Sequence, residues 1–358
     1  MSPTWPTRRW TGEEASAVSV GYVYHPIFLE HDTGDHPENS SRLVAIMDNL
    51  GQVGLLRRLT AIAAERATFE DVARIHAPAL FEHVRHVAER GGGSLDLDTV
   101  VCAQSFEAAL YAAGGTIAAT RAVLDAEVES AYALVRPPGH HATRTRAMGF
   151  CLFNNVALSA AWALDSGRAS RIAIIDFDVH HGNGTAEAFD ADPRVLYVSL
   201  HQYPLYPGTG HWREKGSGAG EGTCLNIPLP PGTGDKGYRQ AFQRLVEPAV
   251  RRFSPGLILV SAGYDGHWAD PLSWMLVSIS GYRHMVDSLV SLARELCQGR
   301  LVVVLEGGYH LAALSHGSAT TFAAMLDEPY DDCLGASQGQ EQPIDRLLAT
   351  IAHWHGIE

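Results

Sequence analysis

The sequence lacks a long hydrophobic run, a paired-cysteine motif and an excess of positive charge. Nowhere in its 358 residues do about 18 apolar residues stand together, the minimum for a membrane-spanning helix. The five cysteines are scattered and odd in number, which does not favour a disulfide framework. With 27 Lys and Arg against 40 Asp and Glu, the formal net charge is -13, which disfavours nucleic-acid binding. We therefore expect neither a membrane nor a nucleic-acid partner, and an acidic chain suits a cationic partner better.

The sequence also lacks signs of secretion and of a domain boundary. Residues 1–18 are polar and do not contain the apolar core of a signal peptide. No Pro/Ser-rich linker divides the rest, and 46% hydrophobic residues suffice for a large buried core. We therefore expect a polar N-terminal segment over residues 1–18, one catalytic domain over residues 19–358 and a cytoplasmic location, where thiols stay reduced.

Short apolar runs alternate with longer Ala- and Leu-rich stretches along the chain. The short runs predict buried parallel strands at Ser19–Tyr24, Tyr132–Val135, Arg171–Ile175, Val195–Leu200, Leu257–Ser261 and Leu301–Leu305. The longer stretches predict helices at Glu107–Val123, Val156–Ala163, Tyr238–Phe253 and Gly281–Leu296. This alternation is typical of an α/β sheet.

Polar side chains with metal-binding or catalytic potential directly follow five of these strands. These segments are Arg136–His141, Asp176–His181, Ser199–His201, Tyr264–Asp265 and Gly307–Tyr309. In open α/β sheets, ligands bind at the carboxyl ends of the strands. The sequence therefore predicts that five strand ends form a single site.

One of these segments has the pattern of a metal site. Asp176, Asp178 and His180 alternate with apolar residues, so an extended backbone would point all three side chains to one side. Carboxylate and imidazole ligands suit Zn²⁺, and a catalytic zinc commonly has three protein ligands. Asp265, which follows a strand and the flexible Gly263, is the best candidate for the third ligand. Taken one by one, these residues could instead be helix-capping aspartates and a core histidine.

Two adjacent histidines and a tyrosine are candidates for the chemical steps. Imidazole titrates near neutrality, so His140 and His141 could act as base and acid. Asp176 and Asn183 could orient these rings. Tyr309 could donate its O–H to a developing oxyanion, although a surface tyrosine explains it equally well. The preceding Gly307 would let the backbone approach closely.

Taken together, these motifs resemble those of the histone deacetylase and acetylpolyamine amidohydrolase family, with its bacterial class II-like members nearest. The resemblance extends from Gly21 to Ala324. Its motifs, in chain order, are His31–Glu38 with Arg42, Arg136–His141, Gly149–Cys151, Asp176–Gly184, Ser199–Gly210, Ser261–Leu272 and Glu306–Tyr309.

The resemblance implies a fold and two kinds of metal ion. The fold would be the α/β arginase–deacetylase fold, a single domain with a central parallel eight-stranded sheet flanked by helices. A catalytic Zn²⁺ would be bound by Asp178, His180 and Asp265, and Fe²⁺ could replace it. A structural K⁺ would be bound by side chains and backbone carbonyls of Asp176, Asp178, His180, Ser199 and Leu200.

The resemblance also implies catalytic roles. His141 would be the general base and acid, and Asn183, where many relatives have Asp, would orient it without supplying a charge. His140 would be an electrostatic partner held by Asp176, and Tyr309 would polarise the substrate carbonyl.

A narrow substrate tunnel is implied as well. Phe150 and Tyr206 would form its aromatic walls, with Gly149 and Gly307 lining it. Arg42 would stand near an inner channel for acetate release, and Asp98 aligns loosely with an acidic rim residue.

We therefore expect a zinc-dependent hydrolysis of acylated lysine, or of a similar acylated amine, to acetate and the free amine. Leu272 stands where polyamine-selective relatives can have glutamate, which favours an acyl-lysine peptide over an acetylpolyamine. An acetylpolyamine amidohydrolase, an arginase-like ureohydrolase and a non-catalytic acyl-lysine-binding module are the alternatives. The sequence is also compatible with a homo-oligomer.

Overall fold

A computed structural model describes residues 18–357. The polar segment expected over residues 1–18 lies, apart from Val18, outside the described residues. The described residues contain ten strands: β1 (Val20–Val23), β2 (Thr60–Ile62), β3 (Gly92–Ser94), β4 (Val100–Cys102), β5 (Ser130–Ala133), β6 (Ile172–Asp176), β7 (Val195–Gln202), β8 (Cys224–Leu229), β9 (Leu257–Ala262) and β10 (Leu301–Leu305).

Eleven α-helices accompany the strands within residues 18–357. They are α1 (Ser41–Gln52), α2 (Phe69–Val72), α3 (Pro78–Glu89), α4 (Ser105–Leu124), α5 (Asn155–Asp165), α6 (Asn183–Phe189), α7 (Asp235–Ala241), α8 (Glu247–Phe253), α9 (Ile279–Cys297), α10 (Leu311–Met325) and α11 (Asp345–His355). None of these helices is long and apolar enough to cross a membrane.

Eight strands form one fully parallel sheet in the order β2-β1-β5-β10-β9-β6-β7-β8. The central strands β6, β9 and β10 are buried along their whole length. Helices α4 and α5 pack on each other, and α10 packs against both α1 and α9. Both the parallel eight-stranded sheet and the flanking helices agree with the prediction. Strands β3 and β4 form a separate antiparallel hairpin.

The two edge strands have no counterpart in the sequence prediction. Strand β2 has only three residues, and β8 contains Asn226 and Pro228, which interrupt its apolar pattern. Proline is tolerated at a sheet edge because its missing N–H need not pair with a second neighbour. The predicted strand Tyr132–Val135 begins and ends two residues earlier, at Ser130–Ala133, because the ladder stops before the Pro137-Pro138 segment.

The helix predicted over Tyr238–Phe253 is not continuous. It consists of α7, a π-helical turn at Phe242–Val246, and α8. Pro248 lies in the first turn of α8, where it lacks an N–H and its ring would clash with the carbonyl of Arg244. A wider turn before the proline avoids that clash.

The strand order explains how one site can form. Strands β5, β10, β9, β6 and β7 are consecutive neighbours in the sheet. Their register aligns Asp176 with both Ser199 and Ser261. The polar residues after these five strands therefore emerge at one edge of the sheet, as predicted.

Candidate active site

Asp178, His180 and Asp265 form a buried cluster whose potential ligand atoms all lie within 4.8 Å of one another. Nδ1 of His180 is 3.1 Å from Oδ1 of Asp178 and 3.2 Å from Oδ2 of Asp265. Burial disfavours the imidazolium, but the two carboxylates outweigh it and raise the pKa of His180 to about 10. The same negative potential favours a divalent cation at this point.

Backbone donors hold the two carboxylates of this cluster. Gly307 N–H donates to Oδ2 of Asp178 at 2.8 Å, and Val179 N–H donates to Oδ1 of Asp265 at 3.0 Å. Oδ2 of Asp265 is buried and has no hydrogen-bond donor of suitable geometry among the described residues. A buried carboxylate oxygen without a donor is costly. This oxygen and the adjacent imidazole therefore fit a metal ion with oxygen and nitrogen ligands.

Two glycines leave room for the cluster. A Cβ on Gly307 would lie 2.2 Å from Oδ2 of Asp265, and one on Gly263 would lie 2.1 Å from Oδ2 of Asp178. Any other residue at either position would displace a carboxylate. These glycines follow β10 and β9, so the two strand ends approach the cluster more closely than a side chain would permit.

The adjacent histidines lie beside this cluster and have different partners. Nδ1 of His140 is 3.1 Å from Oδ2 of Asp176, and Nδ1 of His141 is 2.8 Å from Oδ1 of Asn183. The two ring centroids are 4.0 Å apart. The O–H of Tyr197 donates to Oδ2 of Asp176 at 3.0 Å, so the partner of His140 is itself held.

These partners give the two imidazoles opposite electrostatic character. Burial lowers the pKa of His141 well below its usual value, and the nearby His140 and His180 lower it further. For His140, burial is outweighed by the carboxylates of Asp176 and Asp178, which raise its pKa to about 10. His141 is therefore the neutral imidazole of the pair and can accept a proton.

Tyr309 lies at the end of the turn after β10. Its N–H donates to Oδ2 of Asp270 at 2.7 Å, and the N–H of His310 donates to the same oxygen at 3.1 Å. The guanidinium of Arg42 lies 5.2 Å from the centroid of the Tyr309 ring. Burial raises the pKa of Tyr309, so its phenol remains a hydrogen-bond donor. Asp270, which was not predicted as a site residue, fixes the backbone of this tyrosine.

The cluster and the histidines open onto a cavity of about 220 Å³. Its lining residues are Asp98, Pro138, His140, His141, Gly149, Phe150, Cys151, His180, Leu205, Tyr206, Leu272, Gly307 and Tyr309. All five residues predicted to bind substrate line this cavity, and so does Asp98.

The aromatic walls of the cavity depend on an unusual local backbone. Gly149 and Phe150 both have positive φ, at 55° and 70°. A Cβ on Gly149 would lie 2.5 Å from Cδ2 of His141, so only glycine fits there. Phe150 makes an edge contact with Tyr309, and Tyr206 makes one with His141.

Glu306 and Cys151 are near the site although the sequence analysis assigned them no role. Together with His140 they form a second buried group of potential metal ligands. Oε2 of Glu306 accepts the N–H of Gly139 at 2.7 Å and that of His140 at 3.2 Å. Burial raises the pKa of Glu306 to about 7. The sequence signal for Glu306 was its place at the start of the Glu306–Tyr309 motif.

The residues expected to bind potassium lie at the ends of β6 and β7. Asp176 and Ser199 face each other across these strands, and Leu200 follows Ser199 on β7. The hydroxyl of Ser199 is 2.9 Å from Nδ1 of His201. All of these residues are buried.

Comparison with known proteins decides the family. Residues 36–325 match the model of the histone deacetylase domain. The chain belongs to the histone deacetylase family. It is therefore related to hydrolases of the deacetylase and amidohydrolase type, as the sequence motifs predicted.

Similarity to members of the histone deacetylase family covers most of the chain. A probable deacetylase of Archaeoglobus fulgidus is 45% identical over 351 residues, which are 95% of this chain and 96% of that protein. A histone deacetylase-like amidohydrolase of Pseudomonas aeruginosa is 41% identical over 300 residues, 83% of this chain and 78% of that protein.

A solved histone deacetylase structure has the same fold. The crystal structure of the HDA15 HD domain superposes with a TM-score of 0.87 at 34% identity and covers 95% of both chains. The arginase–deacetylase fold expected from the motifs is thereby confirmed.

Proposed function

We propose that this protein is a zinc-dependent deacetylase. It hydrolyses the amide of N-acetylated or otherwise acylated lysine, or of a similar acylated amine, to the carboxylate and the free amine. The observation that supports this most is the cavity in which a neutral imidazole, His141, and a phenol, Tyr309, adjoin a cluster of metal ligands. Family membership supports the reaction class.

Asp178, His180 and Asp265 would hold the metal ion. Two carboxylates and one imidazole suit Zn²⁺ and also Fe²⁺, and three protein ligands leave positions open for reactants. When bound, the ion supplies Lewis-acid chemistry that polarises the amide carbonyl and activates water.

His141 would perform both proton transfers. Oδ1 of Asn183 accepts a hydrogen bond from the Nδ1–H of His141, so Nε2 carries the free electron pair and takes a proton from the attacking water. After the tetrahedral intermediate forms, Nε2 returns this proton to the leaving amine. The depressed pKa of His141 keeps it available as a base, whereas Asp176 keeps His140 as an electrostatic partner.

Tyr309 would stabilise the oxyanion that forms from the substrate carbonyl. Its phenol keeps its proton because burial raises its pKa, and Asp270 fixes its backbone. A hydrogen bond from a fixed donor strengthens as charge develops on the oxygen, which lowers the barrier.

The apolar tunnel would bind the aliphatic stem of the substrate. Phe150 and Tyr206 provide aromatic walls, and Gly149 leaves space between Tyr206 and His141. Leu272 offers no charge to a second ammonium group, which would lose hydration in the tunnel. This favours an acyl-lysine peptide as substrate.

An acetylpolyamine is the second candidate, and Asp98 is the observation in its favour. This carboxyl lines the same cavity, and burial together with Asp96 raises its pKa to about 6. It is therefore largely ionised at pH 7 and could attract a distal ammonium group. The same carboxylate could equally accept backbone N–H groups of a peptide.

A structural K⁺ belongs to the same proposal. Asp176 and Ser199 would contribute side-chain oxygens, and Asp178, His180 and Leu200 would contribute carbonyl oxygens. The alignment of Asp176 and Ser199 across adjacent strands supports this set.

The test is a turnover assay on metal-depleted protein that is titrated with Zn²⁺. Amine release would be followed in parallel with an acetyl-lysine peptide, acetylspermidine and arginine. We expect peptide deacetylation to rise with zinc up to about one ion per chain and to be absent in His141→Ala. Peptide binding without amine release would favour the binding module, and urea release from arginine would favour the ureohydrolase.

A further inference from the structure

A second cluster of reactive side chains lies outside the candidate active site. Cys333 is exposed in the loop between α10 and α11, and its Sγ is 3.3 Å from Nε2 of His316. His316 is on α10, and Nδ1 of its ring is 2.6 Å from the hydroxyl of Tyr330. A thiol, an imidazole and a phenol are thus in contact in that order.

The phenol that contacts this imidazole is held by a residue of a third element. Nδ2 of Asn49, on α1, donates to the hydroxyl of Tyr330 at 3.3 Å and to the carbonyl of Ser315 at 3.0 Å. The phenol oxygen can also accept a hydrogen bond from the Nδ1–H of His316. In that tautomer the electron pair of Nε2 faces the thiol. Activated nucleophiles in proteins commonly have this arrangement, in which a base contacts the nucleophile and a third group orients the base.

Each of the other four cysteines lacks either exposure to solvent or a basic side chain beside its sulfur. Cys151, Cys224 and Cys297 are buried, and burial raises the pKa of each thiol. Cys102 is partly exposed, but its Sγ lies near the backbone carbonyl of Glu30 and the side-chain amide oxygen of Gln104, which are not bases. Within the described residues, which include every cysteine of the chain, only Cys333 has both exposure and an imidazole partner.

The imidazole is available as a base for the thiol because it is not already protonated. Burial lowers the pKa of His316, and the nearby carboxylate of Asp332 only partly opposes this. Its ring is therefore neutral at pH 7 and can take the proton as the sulfur attacks an electrophile.

We propose that Cys333 is a modification site at which the protein forms mixed disulfides with low-molecular-weight disulfides. His316 is the general base, and Tyr330 positions it. The five cysteines are all free, so the second sulfur comes from outside the chain. Exposure of Cys333 gives a small disulfide access to it.

The reaction is a thiol–disulfide exchange. Nε2 of His316 takes the proton of the Cys333 thiol, and the sulfur attacks one sulfur of the small disulfide. A new S–S bond forms, the original S–S bond breaks, and the departing thiolate takes the proton from His316. Cys333 is oxidised, and one equivalent of small thiol is released.

The experiment uses the intact, metal-loaded protein and glutathione disulfide as the probe. After acid quenching and proteolysis, mass spectrometry gives the rate of adduct formation at each cysteine. A general base in contact with a thiol takes its proton as the sulfur attacks, and Cys102 has no such base. We therefore expect Cys333 to react about tenfold faster than Cys102, and His316→Asn to abolish this advantage.

Two further variants separate loss of the base from a general loosening of the fold. Tyr330→Phe keeps the ring but not the hydroxyl and should slow Cys333 by a smaller factor. Cys102→Ser should leave the rate at Cys333 unchanged. A folding defect would speed the reaction of the buried cysteines in the same digest, whereas loss of the base slows Cys333 alone. Equal rates at Cys333 in the unaltered protein and in both His316→Asn and Tyr330→Phe would overturn the proposal.

Discussion

The two carboxylate oxygens of Asp265 differ in their partners. Oδ1 accepts a hydrogen bond from a backbone N–H, whereas the buried Oδ2 has no suitable hydrogen-bond donor among the described residues. If this second oxygen is a metal ligand, Asp265→Ala leaves only two protein ligands. We expect zinc content per chain and turnover to fall together, because a three-ligand site that loses a charged ligand binds zinc much more weakly. Metal analysis with a peptide assay measures both, and exposed Asp331→Ala is the control. Full zinc occupancy with normal turnover would remove Asp265 from the ligand set.

Tyr309 can be separated from the metal site because only its hydroxyl is expected to act in the reaction. Tyr309→Phe keeps the edge contact with Phe150 and the backbone bond to Asp270. We expect kcat to fall by roughly 10²–10³-fold, the usual cost of one oxyanion donor, with unchanged zinc content. Steady-state kinetics test this. A variant with normal kcat but raised KM would show that the hydroxyl only binds substrate.

Leu272 is a residue through which substrate class can be changed. It lines the cavity, and a carboxylate there would pair with a distal ammonium group of an acetylpolyamine. Leu272→Glu should therefore raise kcat/KM for acetylspermidine relative to an acetyl-lysine peptide, and Leu272→Gln controls for size. If the unaltered protein already prefers acetylspermidine, another acidic residue, with Asp98 foremost, determines selectivity.

At the scale of elements, the turn between β10 and α10 contributes most to the site. Glu306 holds the backbone of His140, Gly307 donates to Asp178, and Tyr309 follows two residues later. A helix cap completes the turn, since Nδ1 of His310 accepts the N–H of Ala313. The turn therefore connects the histidines, the metal ligands and the phenol.

Gly307→Ala tests this turn directly. Its methyl group would lie 2.2 Å from Oδ2 of Asp265, so we expect weaker zinc binding and lower activity. Gly51→Ala in α1 is the matched control, because its Cβ would meet nothing within 4 Å, and it should not reduce activity. Zinc titration of both variants measures the difference. Equal zinc affinity in Gly307→Ala and the unaltered protein would show that the turn can shift enough to accommodate the methyl group.

At the scale of the whole molecule, a buried ion-pair network connects the N-terminal third of the chain with the strand ends. Oε1 of Glu38 accepts bonds from Arg42 at 3.0 Å and Arg136 at 2.7 Å, and all three side chains are almost fully buried. Arg42 also donates to the carbonyls of Glu306 and Gly308. The network joins α1, the segment after β5 and the turn after β10.

Glu38→Gln removes the negative charge between two buried guanidinium groups. We expect the free energy of unfolding to fall by about 3–5 kcal/mol, the usual cost of leaving a buried charge without its partner. Denaturant unfolding measures this, and Glu82→Gln, in an exposed pair with Arg85, should cost at most about 1 kcal/mol. A loss as small as that of Glu82→Gln would mean that the two arginines find other partners.

The sequence alone determined the α/β class, six of the eight strands of the parallel sheet and the edge of the sheet at which the site lies. Buried parallel strands are nearly continuous apolar runs, so they are visible without tertiary information. The polar residues that follow them stand out against these runs, and the alternation of Asp176, Asp178 and His180 reflects the two-residue period of extended backbone. These signals depend only on neighbouring residues, so they can be recognised in the sequence without the folded structure.

The tertiary structure decided everything that depends on distant partners. The edge strands β2 and β8, the π-helical turn before Pro248 and the roles of Glu306 and Asp270 have weak or no local signals. Asp270 meets Tyr309 across 39 positions, and only folding establishes such a pair. The opposite pKa shifts of His140 and His141 likewise arise from burial and neighbouring charges, which adjacent positions in a sequence cannot reveal.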